Sequence, residues 1–257
     1  MADNLVTWLC RPTIFARPVT IVTMTLMKLP FLVPSVLVFN NAYIPPNPAP
    51  HDDEAISGGP LYERICPAIF PILQRLSGLI PCVAEIAVIL AAYFPSPVSS
   101  RILSTLVHTG QLPDMMPNKY FILGTILVLI GCLGRLWCFR VMGRHFTHQL
   151  SLRKDHALVT TGPYDIVRHP GYAASWIASF GISLIYASPG SFMRSSGWLS
   201  TYFGRVVFGV WVLQVILSGV LSCARSISED AMLRKRFGEE WVRWSKRVCY
   251  RLIPGVF

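Results

Sequence analysis

The sequence predicts an all-α, polytopic membrane helix bundle of about five transmembrane helices with a C-terminal cytosolic amphipathic helix. Three observations carry that prediction. Only 14% of the 257 residues are charged and 53% are hydrophobic, whereas a soluble domain carries about 25% charged residues. Apolar runs approach the ~20 residues that a helix needs to cross a bilayer. The net charge of +10 is also unevenly placed, because 12 of the 23 Lys and Arg fall within residues 143–170 and 225–257.

The first run, residues 19–39, is interrupted by Lys28, Pro30 and Pro34. It reads as a kinked span or an interfacial segment. The second, roughly 69–94, carries Arg75, Pro81 and Glu85. A charged residue there is costly unless paired, and Arg135 is a candidate partner for Glu85. The third, YFILGTILVLIGCLGRLWCFRVM at 120–142, is the clearest span, and Gly124, Gly131 and Gly134 suit close helix packing. The fourth (171–188) and fifth (202–224) form a hairpin joined by the Gly-, Ser- and Pro-rich PGSFMRSSGWLS. Residues 40–66 are polar and Pro-rich and read as a loop. The expected division is an N-terminal region of spans and polar loops, 1–119, and a membrane core, 120–257.

An even number of spans separates the two basic clusters, so they share a side, and excess Lys and Arg mark it as cytoplasmic. Beyond the fifth span, Leu233, Phe237, Trp241, Trp244 and Val248 recur at helical spacing with the basic residues largely off that face. Such a helix suits a headgroup layer or the protein's own surface. The apolar spans favour membrane lipid over nucleic acid as partner of the basic surface.

Chemistry is expected where polar groups crowd that basic side. The loop offers His145, His148, His156, Arg168 and His169; the segment after the fifth span offers Arg225, Glu229 and Asp230. Arg225 and Glu229 are four apart and share a helix face. They read either as a plain surface pair or as a site for a zwitterion such as an amino-acid head group. No phosphate-binding glycine loop, GxSxG elbow or HExxH motif is present, so neither hydrolysis nor a metal is expected. The seven cysteines have no metal-ligand spacing and read as small buried hydrophobes. The N-terminal stretch lacks a basic n-region, so a cleaved signal peptide is not expected.

LVTTGPYDIVRHPGYAASW, preceded by HFTHQL and followed by RSISEDAMLRKRFGEEWVRW, resembles the isoprenylcysteine carboxyl methyltransferase family over about residues 130–257. RHPxY alone belongs to a wider superfamily that includes phospholipid N-methyltransferases and parts of some sterol reductases; the RxxxE element narrows it. The resemblance implies an S-adenosyl-L-methionine-dependent enzyme of the endoplasmic reticulum membrane. It would esterify the C-terminal carboxylate of a prenylated cysteine, with its active site facing the cytosol. It further implies cofactor contacts from His156, Ala157, Leu158, Val159, Tyr164, His169, Pro170, Gly171, Tyr172 and Glu229, and a substrate contact from Arg225. On that reading Arg225 orients the substrate carboxylate, Glu229 binds the cofactor's amino group or ribose, and Arg168 serves the opposite pole or braces the loop. This chain departs from the family pattern at Asp230, Trp241 and Trp244, and in a shorter loop between His148 and His156. Methylation of a lipid amine, reduction of a sterol double bond and a non-catalytic lipid-binding role are the rival readings.

Overall fold

The computed structural model describes residues 25–48, 61–147 and 157–256. Residues 19–24 of the first expected run, together with His148 and His156, lie outside the described residues. Among the described residues the chain is helical, with no strand. Among the described residues seven α-helices are longer than four residues: α1 (Leu29–Ala42), α2 (Leu61–Tyr93), α3 (Pro97–Leu106), α4 (Lys119–Met142), α5 (Pro170–Ala187), α6 (Tyr202–Phe237) and α7 (Glu239–Arg247). Three helical segments are long and apolar enough to cross a membrane: Ala68–Tyr93, Lys119–His145 and Tyr202–Phe237. The other two expected spans correspond to α1 and α5, shorter helices that pack against α4.

Local chemistry sets the boundaries. Asn118 caps α4 by accepting from the amides of Tyr120 (2.9 Å) and Phe121 (3.1 Å), and Gly143, at φ +56°, ends it. Thr201 caps α6 through the Gly204 amide at 3.0 Å. Two boundaries differ from expectation. The segment 40–66 is not all loop, because α2 begins at Leu61. The fifth span does not stop at 224, because α6 runs unbroken to Phe237, where Gly238 at φ +50° separates it from α7. The apolar face read as one tail helix is therefore shared between two. The short helix α3 was not expected; Ser96 caps it, with Pro97 opening the first turn.

The closest helix pair is α4 with α5. A Cβ on Gly131 would lie 2.4 Å from the Ala178 amide nitrogen and 2.5 Å from the Ala174 carbonyl oxygen. One on Gly124 would lie 2.7 Å from the carbonyl of Gly181. Small residues on both helices let the backbones touch, the usual basis of packing where lipid removes the hydrophobic drive between helices. Gly134 is not part of this seam, since its Cβ would stand at an ordinary 3.6 Å from Ala174.

Glu85 is paired, but not with Arg135. Lys28 forms the ion pair, and both side chains are buried. Lys28 also donates to the Gly190 carbonyl (2.9 Å), and Glu85 accepts from the Phe192 amide (3.0 Å). The lysine read as weakening the first run is thus neutralised, tying α1, α2 and the turn after α5 together. Trp241 and Trp244 are buried against Cys138, Tyr164 and Val248, so α7 turns its aromatic face to its own protein. Arg243, Lys246 and Arg247 stay exposed.

Candidate active site at one end of the bundle

The turn before α5 and the polar end of α6 meet in one ion cluster. Pro170 opens α5, leaving His169 at the N-cap position, where its side chain makes no capping bond. Its ring reaches α6 instead, placing Nδ1 3.1 Å from Glu229 Oε2 and Nε2 3.0 Å from Asp230 Oδ1. Both ring nitrogens face carboxylates, which only an imidazolium can satisfy with two N–H donors. Burial opposes the charged form, but hydrogen bonds to Asp230 and Glu229, together with their charges, hold the pKa up to about 9.

Glu229 also accepts from Tyr172 Oη (2.6 Å) and, one helical turn away, from Arg225 Nε (3.2 Å). Three of its roughly four lone-pair positions are therefore occupied. Asp230 accepts from Arg251 Nε at 2.8 Å and lies 3.3 Å from an Arg168 guanidinium nitrogen. The Arg168 guanidinium also sits 5.8 Å from the centre of the Trp241 ring. The backbone joins the same knot: the amides of Arg168 and His169 donate to the carbonyls of Tyr250 (2.9 Å) and Arg251 (2.8 Å). The chain's last segment thus straps the arginine–histidine turn in place.

A pocket opens beside this cluster. Of the residues expected from the sequence, Leu158, Val159, Tyr164, Arg168, His169, Gly171, Tyr172, Arg225 and Glu229 line it. Pro170 is buried as the first residue of α5 and Ala157 is exposed; neither lines the pocket. Gly162, at φ +62°, makes the turn that buries Tyr164, whose carbonyl accepts from Trp244 Nε1 at 3.2 Å.

The structure adds one residue that sequence reasoning placed elsewhere. Arg135 on α4 lines the same pocket and is 6% exposed. It donates to the carbonyl of Ala42 (2.7 Å), the carbonyl of Gly171 (3.1 Å) and Ser175 Oγ (2.8 Å). The rings of Tyr43, Phe139 and Phe146 surround it at 5.1–5.7 Å. No carboxylate pairs with it among the described residues. An arginine inside the clearest apolar run was the available signal, since buried charge in a span is a functional-site hypothesis by default.

The donor set fits an amino-acid-like zwitterion beside an apolar body. Cationic guanidinium groups and one unfilled lone-pair position of Glu229 lie at the polar end, with Leu158, Val159 and Met142 alongside. Among the described residues, Arg135, Arg168, Arg225 and the His169 imidazolium outnumber the carboxylates Glu229 and Asp230, an arrangement suited to an anion.

Residues 120–210 match the family model described as phospholipid methyltransferase. Protein-S-isoprenylcysteine O-methyltransferase B of Arabidopsis thaliana is 28% identical over 127 residues, covering 49% of this chain and 55% of that protein. Protein-S-isoprenylcysteine O-methyltransferase of Saccharomyces cerevisiae is 32% identical over 100 residues, 35% of this chain and 42% of the relative. A Delta(14)-sterol reductase of Neurospora crassa is 24% identical over 128 residues, 44% of this chain and 26% of the reductase. The chain spans about half the length, or less, of these relatives. These similarities bear out the resemblance carried by the LVTTGPY and RSISED motifs: the C-terminal half of this chain is similar to isoprenylcysteine carboxyl methyltransferases and, more widely, to other RHPxY membrane proteins.

Proposed function

We propose that this protein methylates the C-terminal carboxylate of a prenylated cysteine, with S-adenosyl-L-methionine as methyl donor. The observation that carries the proposal is Arg135: a buried guanidinium with no carboxylate partner among the described residues, facing the same pocket as Arg225. An anionic acceptor supplies the missing counter-charge. An ammonium acceptor would be repelled by the same groups. It would also need a base, and the two carboxylates of the cluster are already engaged by cations. This favours a carboxylate over a lipid amine.

The donor supplies an activated methyl group on a sulfonium sulfur. A carboxylate is ionised at neutral pH, so no residue has to remove a proton. Arg135 and Arg225 hold and orient the acceptor oxygen; positioning of this kind supplies up to about 7–11 kcal/mol in ideal cases. Tyr164, Tyr172, Gly171, Leu158 and Val159 form the wall expected to hold the donor, and Ala157 and His156 precede that wall in sequence. Glu229 keeps one position for a cationic amino group while holding Arg225 and Tyr172 in place. Pro170 and His169 fix the start of α5. Arg168 serves as a brace through Asp230 and Trp241.

In the same reading the chain has five spans, with 1–119 an accessory membrane region and 120–257 the methyltransferase core. It resides in the endoplasmic reticulum membrane with the ion cluster toward the cytosol, so that a prenyl chain reaches the pocket from the lipid while its peptide stays in water.

The test supplies microsomes containing the protein with methyl-labelled S-adenosylmethionine and either acetyl farnesylcysteine or phosphatidylethanolamine. Base-labile label on the prenylcysteine is expected. Label on the lipid alone would replace this reading with amine methylation, and no transfer to either would favour a non-catalytic protein.

A further inference from the structure

Away from the ion cluster the pocket runs between α2 and α6. Its lining residues on α6 step from Arg225 through Ser222 to Ser218, and on α2 through Phe70 to Gln74. Neither helix contributes a lining residue beyond that level. There, Gln214 Nε2 on α6 donates to Gln74 Oε1 at 2.9 Å, and Gln74 Nε2 donates to Ser179 Oγ on α5 at 2.9 Å. Two hydrogen bonds thus bridge three helices across the end of the pocket, and Gln74 is 3% exposed. The packing behind them is closed. Tyr186 Oη donates to the carbonyls of Ser77 (3.1 Å) and Gly78 (2.7 Å), and its ring meets Trp211 at a centroid distance of 5.6 Å.

We propose that the Gln74–Gln214–Ser179 rung is the floor of the lipid-chain channel and limits the length of isoprenoid accepted, favouring a three-isoprene over a four-isoprene chain. This rests on the reading of the site given above. Primary amides in apolar surroundings are stable only while they satisfy one another. A chain that reached past the rung would have to break both bonds and leave amide groups unpaired. From Arg225 to Gln214 is eleven residues of α6, about 16 Å of helix rise. One further isoprene unit adds four main-chain carbons, past the level of Gln74 and Ser218 where the lining residues of the two helices end. Misfit of even one methylene in an apolar pocket costs about tenfold or more in discrimination.

The experiment uses the full chain purified in detergent, in wild-type form and as Gln214→Ala and Gln214→Leu. Competition by S-farnesylcysteine and S-geranylgeranylcysteine against a photoreactive prenylcysteine measures binding. The kcat/KM ratio for the two acetylated prenylcysteines measures turnover. Wild type is expected to prefer the farnesyl compound about tenfold. Gln214→Ala should bring that preference close to unity by deepening the channel. Gln214→Leu refills the volume and should retain it, which separates channel depth from general loss of folding. Equal preference in wild type, or a preference unchanged in Gln214→Ala, overturns the proposal while leaving the carboxyl methyltransferase reading intact. Length-dependent binding that shifts in Gln214→Ala without any methyl transfer supports the floor and overturns the reaction instead. Absence of prenylcysteine binding in wild type overturns both.

Discussion

The imidazole of His169 stands 3.1 Å from Glu229, a residue sixty positions later in the chain. The same ring touches Asp230 at 3.0 Å, so a single side chain fixes the start of α5 against the polar end of α6. Arg225 and Tyr172 hold the far side of Glu229. The alternative of a plain exposed pair between Arg225 and Glu229 does not describe this arrangement, since their side chains are only 12% and 22% exposed.

The cluster has a pH signature. His169 ordinarily titrates at 6.5 and here at about 9. Its contribution to stability is therefore fully present below pH 6.5 and is lost as pH rises through 9. The shift corresponds to roughly 3 kcal/mol. Thermal unfolding in detergent between pH 6 and pH 10 should show a falling midpoint over that window. His169→Ala should flatten the fall; a wild-type midpoint independent of pH there would refute the imidazolium assignment.

Arg135 should be more sensitive to geometry than to charge. Its fork reaches two carbonyls and a hydroxyl at once, which a lysine ammonium does not reproduce. Arg135→Lys is expected to lower kcat/KM at least about tenfold, a loss of roughly 1.4 kcal/mol of transition-state stabilisation. Arg135→Ala should lose more. The comparison with wild type is a steady-state assay on acetyl farnesylcysteine, and full activity in Arg135→Lys would remove this residue from the acceptor site.

Removing one partner of the buried pair should cost more than removing both. Lys28→Met leaves the buried Glu85 carboxyl without its counter-ion, a loss of about 3–5 kcal/mol. The double variant Lys28→Met/Glu85→Leu should recover part of that loss, less the hydrogen bond from the Phe192 amide. A double-mutant cycle by thermal or denaturant unfolding measures the coupling. Additive single and double variants would show that the pair contributes no mutual stabilisation.

The α4–α5 seam makes a paired prediction. Gly131→Ala places a methyl where the backbone of α5 already stands, and overpacking of this kind typically costs about 1–3 kcal/mol. Gly134→Ala meets only ordinary contact and should leave the unfolding midpoint near that of wild type. Equal midpoints for the two variants would contradict the close approach at Gly131.

By itself the sequence determined that this chain is helical, where its runs apolar enough to cross a membrane lie, and that the arginine–histidine turn and the Arg225–Glu229–Asp230 segment belong to one region. Those properties are local. Apolar run length, charge bias and four-residue spacing are written along the chain, and the family motifs are contiguous. Tertiary structure decided the partnerships. Lys28 rather than Arg135 neutralises Glu85, Trp241 and Trp244 face inward, Arg135 turns to the pocket, and the end of the chain straps Arg168 and His169. Spacing rules relate residues within one helix, whereas these pairs are set by which helix faces meet and how closely. At Gly131, where the two backbones leave no room for a methyl, that closeness is fixed by packing across helices that no periodicity encodes.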